Sequence, residues 1–296
     1  MLEKLTTEKR NKNSMTLDTM STKEIISLMN KEDENVIKAV NQELDAIEKV
    51  IEKCIEVIKN DGRIIYVGAG TSGRIGLLDA IECPPTFKMD PNQVIGILAG
   101  GNDQMFAKEE AEDSYELGQE KMKELTLNAN DIVIGLAASG RTPFVIGALD
   151  YANKLKAITA CIVCNKNTKM AKHVSFPIEI DNGPEILTGS TRLKAGTAQK
   201  MVCNMISTAT MVRLGKVYEN LMVDVDVSNE KLYQRWLSIV KSATSCNEQE
   251  AKELYKQAHH NAKAAICMYK LKISYDEAII KLNKYHGFVK DVIKNV

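Results

Sequence analysis

The sequence YVGAGTSGRIGLLDAIECPPTF, from Tyr66 to Phe87, predicts a β-strand, a glycine-rich turn and a helix in succession. Its glycines satisfy G-x-G-x-x-G, a spacing that directs backbone N–H groups at the start of a helix toward a phosphate. Thr71, Ser72 and Arg74 surround the last of them, Gly73, with hydroxyl and guanidinium groups. This composition suits a single phosphate better than a pyrophosphate. The turn is therefore a candidate site for a small phosphorylated ligand.

Further apolar, β-branched runs alternate with helical segments along the chain, which predicts an α/β fold: a parallel sheet with right-handed crossovers and helices on both faces. Ligands of such sheets bind beyond the carboxyl ends of the strands, where the glycine turn lies. The predicted strands are Arg63–Val67, Val94–Leu98, Ile132–Leu136, Ile158–Val163 and Phe176–Ile180.

The sheet domain, residues 61–228, is expected between two helical regions. Residues 1–60 form an N-terminal helical segment, in which Ser21 and Glu24 make a capping-box pattern and a single helix runs to Gly62. From Asn229 the strand pattern disappears, and residues 229–296 are expected to form a small helical subdomain. Its three predicted helices are Glu230–Thr244, Gln249–Tyr269 and Tyr275–Val296.

Two further segments repeat the chemistry of the first turn. DIVIGLAASGRTPF contains a second strand, Ser-Gly-Arg and helix, so Ser139, Gly140 and Arg141 should occupy a turn equivalent to residues 72–74. GPEILTGSTRLKAG places Ser190, Thr191, Arg192 and Lys194 before another helix, which again favours an anion. Each segment alone is a weak signal, but together they indicate one anion site built from several loops.

Other classes of function are disfavoured by composition and motif. The 39 basic and 39 acidic residues cancel, so no overall field favours nucleic acid or a membrane surface. No apolar run resembles a signal peptide or a membrane span. A dinucleotide would need an acidic residue closing the second strand, but IGILAGGND ends in small residues with Asp103 only five places beyond Leu98. The nucleoside-triphosphate motif G-x-x-x-x-G-K-[ST] does not occur.

Cysteine and histidine patterns offer no metal or redox site. The seven cysteines are expected to be reduced cytosolic thiols. Cys161 and Cys164 match C-x-x-C but lie in an apolar strand, where residues three apart point to opposite faces. The four histidines have no metal-ligand spacing.

Two acidic segments can supply acid–base chemistry. Because Pro84 disfavours a helical conformation at Cys83, the helix is expected to end there, which puts Glu82 at the negative end of the helix dipole in apolar surroundings. Both effects would raise the pKa of Glu82, as a general acid requires. A base is expected in AKEEAEDSYELG, where helical spacing cannot choose among Glu109, Glu112 and Glu116.

The segments VGAGTSGRIGLLDAIECPPTF, AEDS, ASGRTPF and GPEILTGSTRLKAGTAQK together resemble the N-acetylmuramic acid 6-phosphate etherase family. The opening LTTEKRNKNSMTLDTMSTKE is also similar, so the resemblance covers nearly the whole chain. The GPEILTGSTRLK segment is shared with the glucokinase regulatory protein.

The resemblance implies a sugar isomerase (SIS) fold, a three-layer αβα sandwich, in a cytoplasmic homodimer without metal or organic cofactor. It also implies cleavage of the D-lactyl ether of N-acetylmuramic acid 6-phosphate. The acid falls on Glu82 and the second carboxylate on Glu112, with Asp113 or Glu109 as alternatives. The implied substrate-binding residues are Thr71, Ser72, Gly73, Arg74, Ser139, Gly140, Arg141, Thr142, Glu185, Ser190, Thr191, Arg192 and Lys194.

Two alternatives remain open at this point. A sugar-phosphate isomerase would share proton abstraction at C2 without loss of the ether, and a regulatory protein would bind a sugar phosphate without turnover. Glu82 within ECPP favours catalysis over sensing. The regulatory protein also resembles two SIS units in tandem, whereas this chain has the length for one.

Overall fold

The computed structural model describes residues 5–102, 109–227 and 229–295. Within these residues the strands are β1 (Ile64–Gly68), β2 (Val94–Leu98), β3 (Ile132–Ala137), β4 (Ile158–Val163) and β5 (Phe176–Glu179). The helices up to β5 are α1 (Thr22–Asn41), α2 (Leu44–Lys59), α3 (Gly70–Phe87), α4 (Glu109–Glu112), α5 (Tyr115–Glu124) and α6 (Pro143–Lys154). The helices after β5 are α7 (Lys194–Arg213), α8 (Glu230–Thr244), α9 (Glu248–Gln257), α10 (Ala262–Leu271), α11 (Tyr275–Lys284) and α12 (Val289–Lys294).

The strands form one parallel sheet in the order β2-β1-β3-β4-β5. The predicted α/β fold is therefore confirmed, and the predicted strands differ from the observed ones by at most one residue at an end. The chain leaves β1 toward β2 on one side and then returns to β3 on the other side of β1. This reversal creates a topological switch point between β1 and β3.

Helices cover both faces of the sheet. Ile65, Val133 and Cys161 point to one face, where they are buried in a cluster with Phe144 and Leu149. On the opposite face, a Cβ at Gly76 of α3 would lie 2.8 Å from Cβ of Tyr66. Alternation along the strands separates these two sets, because successive side chains point to opposite faces. The three-layer αβα architecture is confirmed.

The glycine turn permits an unusually close approach of helix and strand. A Cβ at Gly73 would lie only 2.5 Å from the carbonyl oxygen of Gly68, so any other residue would force α3 away from β1. Gly73 is thus needed to start a helix directly above the end of a strand.

The predicted helix from Ser21 to Gly62 is wrong, because the structure breaks it into α1 and α2 around Gln42 and Glu43. The capping box at Ser21 and Glu24 is confirmed. At the break, the carboxylate of Glu43 forms an ion pair with Lys166 and accepts a hydrogen bond from the backbone N–H of Glu179 at 3.4 Å. Both partners are remote in sequence, so the apolar periodicity gave no sign of the break.

The predicted end of α3 at Cys83 is also wrong, because the helix continues through Pro84 and Pro85 to Phe87. A proline in a helix removes a backbone donor. Pro84 and Pro85 lie in the last turn of α3, so only that turn loses backbone donors. Cys83 and Phe87 are buried at this end of the helix. Glu82 therefore lies within α3 rather than at its carboxyl end, and its side chain is exposed rather than in the apolar surroundings that the sequence predicted.

The chain divides into two compact units, residues 1–81 with 92–207 and residues 82–91 with 208–296. The second has its own apolar core around Trp236. Two of its predicted helices are each split, because His259, His260, His286 and Gly287 have positive φ angles between 48° and 82°. In the described part of the chain, none of the helices combines the length and apolar character needed to cross a bilayer.

Candidate functional site

The two Ser-Gly-Arg turns lie side by side at the carboxyl end of the sheet. β1 and β3 are neighbours, with Gly68 opposite Leu136, so the turns that follow them flank the switch point. Gly140 has a φ of +64°, and the adjacent Thr168 leaves no space for a Cβ there. Both segments lie at the edge where parallel sheets bind ligands. The prediction that residues 72–74 and 139–141 occupy equivalent turns is wrong, because residues 72–74 lie in the first turn of α3, whereas residues 139–141 lie in the loop before α6. The glycine after β1 that has a positive φ, as Gly140 does, is Gly70.

The third predicted loop reaches the same place. A Cβ at Gly196, in the first turn of α7, would lie 3.5 Å from Cγ2 of Thr71, so α7 begins beside the first turn. The N–H of Gly196 donates to the carbonyl of Thr191 at 3.0 Å. Residues Ser190 to Arg192 consequently approach the first Ser-Gly-Arg turn at the amino end of α7.

The polar side chains of these loops are largely accessible. Ser72 is buried and Arg192 is exposed, whereas the others are partly exposed. The partly exposed side chains are those of Thr71, Arg74, Ser139, Arg141, Ser190 and Thr191. Hydroxyls, guanidinium groups and two helix N-termini together are chemically suited to an anion such as a phosphate.

The second carboxylate is held against the second turn. Thr142 is buried, and its Oγ1 donates a hydrogen bond to Oε1 of Glu112 at 3.2 Å. Thr142 directly precedes α6, and Glu112 is the last residue of α4. This contact favours Glu112 over Asp113, a choice that the family resemblance left open. Asp103 and the side chain of Glu109 lie outside what the structure describes.

Two predicted substrate-binding residues instead have partners within the protein. Glu185 is 0 % exposed, and its carboxylate accepts hydrogen bonds from the backbone N–H groups of Lys194 at 3.0 Å and Ala195 at 2.9 Å. Nζ of Lys194 is 2.8 Å from Oε2 of Glu32 on α1. We therefore interpret Glu185 and Lys194 as residues that position the start of α7.

Burial and hydrogen bonding shift the pKa values of the Glu185 and Glu32 carboxyl groups in opposite directions. Desolvation raises the pKa of Glu185 above its ordinary value despite its two backbone donors. Desolvation would also raise the pKa of Glu32, but hydrogen bonds from Lys194, Asn13 and Asn11 outweigh it and leave that pKa below its ordinary value. Glu32 thus stays ionised when folded.

Lys194→Met should lower the free energy of unfolding at neutral pH by about 3–5 kcal/mol, because it leaves the Glu32 carboxylate buried without its cation. Folding lowers the pKa of Glu32, so ionised Glu32 contributes to the free energy of unfolding. This contribution is fully present above the ordinary pKa of about 4.3 and is lost as the pH falls through the lowered pKa. The difference from wild type should therefore shrink in acid. Urea unfolding at several pH values measures this.

Lys121→Met is the matched control, because Lys121 pairs with the exposed Glu124 at 2.6 Å. Such surface pairs contribute about 0–1 kcal/mol. Equal destabilisation by the two variants, or a difference that does not depend on pH, would contradict the assignment of Lys194.

The predicted acid, Glu82, lies on α3 with an exposed side chain. It belongs to the second compact unit, whereas the loops and Glu112 belong to the first. The role of Glu82 therefore remains a prediction.

The cysteines are buried, and His173 is paired with an aspartate. All seven cysteines are buried and none forms a disulfide. Burial raises the pKa of Cys161 to about 12, which makes its thiolate inaccessible at neutral pH. Nδ1 of His173 lies 2.7 Å from Oδ1 of Asp150, two turns into α6.

Asn165, which lies two residues after β4, was not among the predicted site residues. Its Nδ2 donates to the carbonyl of Ala138 at 3.0 Å, one residue before Ser139. The only sequence signal for this residue was an asparagine two residues beyond the end of a predicted strand.

Family models match three parts of the chain. The glucokinase regulatory protein N-terminal SIS domain matches residues 46–153, the SIS domain matches residues 110–209, and the C-terminal lid domain of glucokinase regulatory protein matches residues 219–282. A putative phosphosugar isomerase involved in capsule formation from Bacteroides fragilis has a TM-score of 0.50 at 19% identity. That match covers 66% of this chain and 94% of that one, and it supports the fold.

Curated relatives are much more similar. N-acetylmuramic acid 6-phosphate etherases of Bacillus cereus (strain AH187) and Bacillus cytotoxicus are each 54% identical to this chain over 295 residues. Each match covers 99% of this chain and the full length of the relative. The chain therefore belongs to the N-acetylmuramic acid 6-phosphate etherase family.

Proposed function

We propose that this protein cleaves the D-lactyl ether of N-acetylmuramic acid 6-phosphate to give N-acetylglucosamine 6-phosphate and D-lactate. The observation that carries the proposal is the position of two Ser-Gly-Arg segments after neighbouring strands at the switch point, with Glu112 held beside one of them by Thr142. Full-length similarity to proteins named for this etherase activity supports the same substrate.

The reaction needs acid–base chemistry at two adjacent carbons. In the open-chain sugar, the ether at C3 is β to the C1 aldehyde, so a base can remove the proton at C2. The C3–O bond then breaks, and the lactate oxygen leaves with a proton from an acid. Addition of water, with its oxygen at C3 and a proton at C2, completes the product.

Each part of the site has a proposed task. Glu112 is the base at C2, and Glu82 is the acid that protonates the leaving lactate oxygen. Hydroxyl and backbone N–H groups of Ser72, Ser139 and Ser190 bind the phosphate, with Arg74 and Arg141 beside them. The distant phosphate then contributes orientation and binding energy to the reacting carbons.

The decisive experiment is incubation of the purified protein with N-acetylmuramic acid 6-phosphate in H₂¹⁸O and, separately, in D₂O. We expect D-lactate release, ¹⁸O at C3 of the amino sugar and deuterium at C2. Exchange at C2 without lactate would indicate an isomerase. Binding without either reaction would indicate a sensor. Both results would reject the etherase proposal.

We also propose a homodimer in the cytoplasm. Leu78 and Ile81 on α3 are 43% and 57% exposed, and burial of such side chains against a second copy is favourable. Light scattering should give about twice the chain mass of 32.8 kDa, whereas the mass of one chain would refute the dimer. Seven thiols without a disulfide are typical of a reducing compartment.

A further inference from the structure

The N-terminal strap, which we define as residues 5–14, has no role in the proposed reaction. It consists mainly of two short 3₁₀ turns, Thr6–Glu8 and Lys12–Ser14, that precede α1. Its sequence resembles that of the family, but none of its residues is among the predicted site residues. Two of its side chains, Thr7 and Asn11, are buried despite being polar, and both have specific partners far away in the sequence.

Thr7 connects the strap to the second Ser-Gly-Arg turn. Its side chain is 0 % exposed, its backbone N–H donates to Oδ1 of Asn165 at 3.3 Å, and its Oγ1 accepts from Nδ2 of Asn165 at 3.1 Å. The same Nδ2 donates to the carbonyl of Ala138, next to Ser139. Thr7 therefore bonds to both the oxygen and the nitrogen of the Asn165 side-chain amide, and that amide nitrogen also bonds to the turn at Ser139.

Asn11 connects the strap to the loop before α7. Its Nδ2 donates to Oε2 of Glu32 at 2.8 Å and to the carbonyl of Pro184 at 3.2 Å. Oε2 of Glu32 also accepts from Nζ of Lys194. Pro184 immediately precedes Glu185, which caps α7. The strap thus bonds directly to one end of the loop that carries Ser190 and Thr191, and it reaches the other end through Glu32.

The side chain of Glu8 also lies near this loop. Oε2 of Glu8 would be 3.7 Å from a Cβ at Gly189, directly before Ser190. Oγ1 of Thr7 donates to the other carboxylate oxygen of Glu8 at 3.3 Å. One short segment is therefore linked through Asn165 to the turn at Ser139 and lies near the turn at Ser190.

We infer that the strap sets the spacing between these two turns, and that Thr7 is a positioning residue for binding of the phosphorylated sugar. The inference rests on the proposed function. A phosphate bound by groups from separate loops requires them to be held within about 0.5 Å of their binding geometry. Loosening one loop should weaken phosphate binding more than it slows the chemistry at C2 and C3.

Thr7→Val tests the inference, because valine keeps the shape of threonine but removes the hydroxyl. We expect about a tenfold increase in the Kd for N-acetylglucosamine 6-phosphate and inorganic phosphate, as measured by calorimetry, and in KM for ether cleavage. The tenfold change is the order expected for loss of one buried hydrogen bond. The kcat should stay within about twofold, and Thr7→Ser should restore tight binding.

Thr16→Val is the matched control, since Thr16 is exposed and lies outside the strap. If Thr7→Val does not fold, the smaller Thr7→Ala replaces it in the same measurements. Unchanged Kd and KM, or a fall in kcat with unchanged KM, would overturn the inference. Binding to the wild type is measured without turnover, so failure of the etherase proposal would be recognised separately by the absence of D-lactate.

Discussion

Glu82→Gln should lower D-lactate release by about 10²–10⁴-fold, the usual contribution of a general acid or base. Glutamine has nearly the shape of glutamate but cannot give a proton to the leaving lactate oxygen. Because Glu82 is exposed on α3, the substitution creates no cavity and leaves no buried group without a partner. The variant should therefore fold and bind N-acetylglucosamine 6-phosphate as the wild type does.

The measurement is D-lactate release under single-turnover conditions, together with calorimetric binding of N-acetylglucosamine 6-phosphate. Glu120→Gln is a suitable control, since Glu120 is an exposed glutamate on helix α5. Normal turnover by Glu82→Gln would exclude Glu82 from the mechanism. Loss of both binding and turnover would argue instead for a structural role.

Glu112→Gln should abolish exchange of the C2 hydrogen with solvent to a similar extent, about 10²–10⁴-fold, because the base would be absent. Asp113→Asn should retain most of this exchange. The two acidic residues are adjacent in sequence, but Thr142 holds Glu112 beside the second Ser-Gly-Arg turn. The comparison therefore tests a distinction that the structure makes and the sequence does not.

Exchange is followed by NMR in D₂O with N-acetylglucosamine 6-phosphate, so it does not depend on ether cleavage. Thr142→Val keeps the Glu112 carboxylate but removes its donor, and it should cause a smaller loss than Glu112→Gln. Near-normal exchange in both acidic variants would reject the placement of the base. Loss of exchange only in Asp113→Asn would move the assignment to Asp113.

The fold was predictable because its signals are local. Buried parallel strands require apolar β-branched runs, and the close packing of α3 on β1 requires Gly73, so both features are written in short stretches of sequence. The predictions were wrong where distant contacts act on a helix. Glu43 meets Lys166 at the break between α1 and α2, and α3 continues through Pro84 to Phe87.

The sequence by itself determined the parallel sheet, the position of each Ser-Gly-Arg motif after a strand, and the family, since motif and periodicity report backbone conformation over a few residues. Only the tertiary structure decided which polar side chains find partners inside the protein. Lys194 pairs with Glu32 across 162 positions, and Thr142 holds Glu112 across 30. Such pairings depend on how separate elements pack, and the spacing within one motif carries no information about residues that far away.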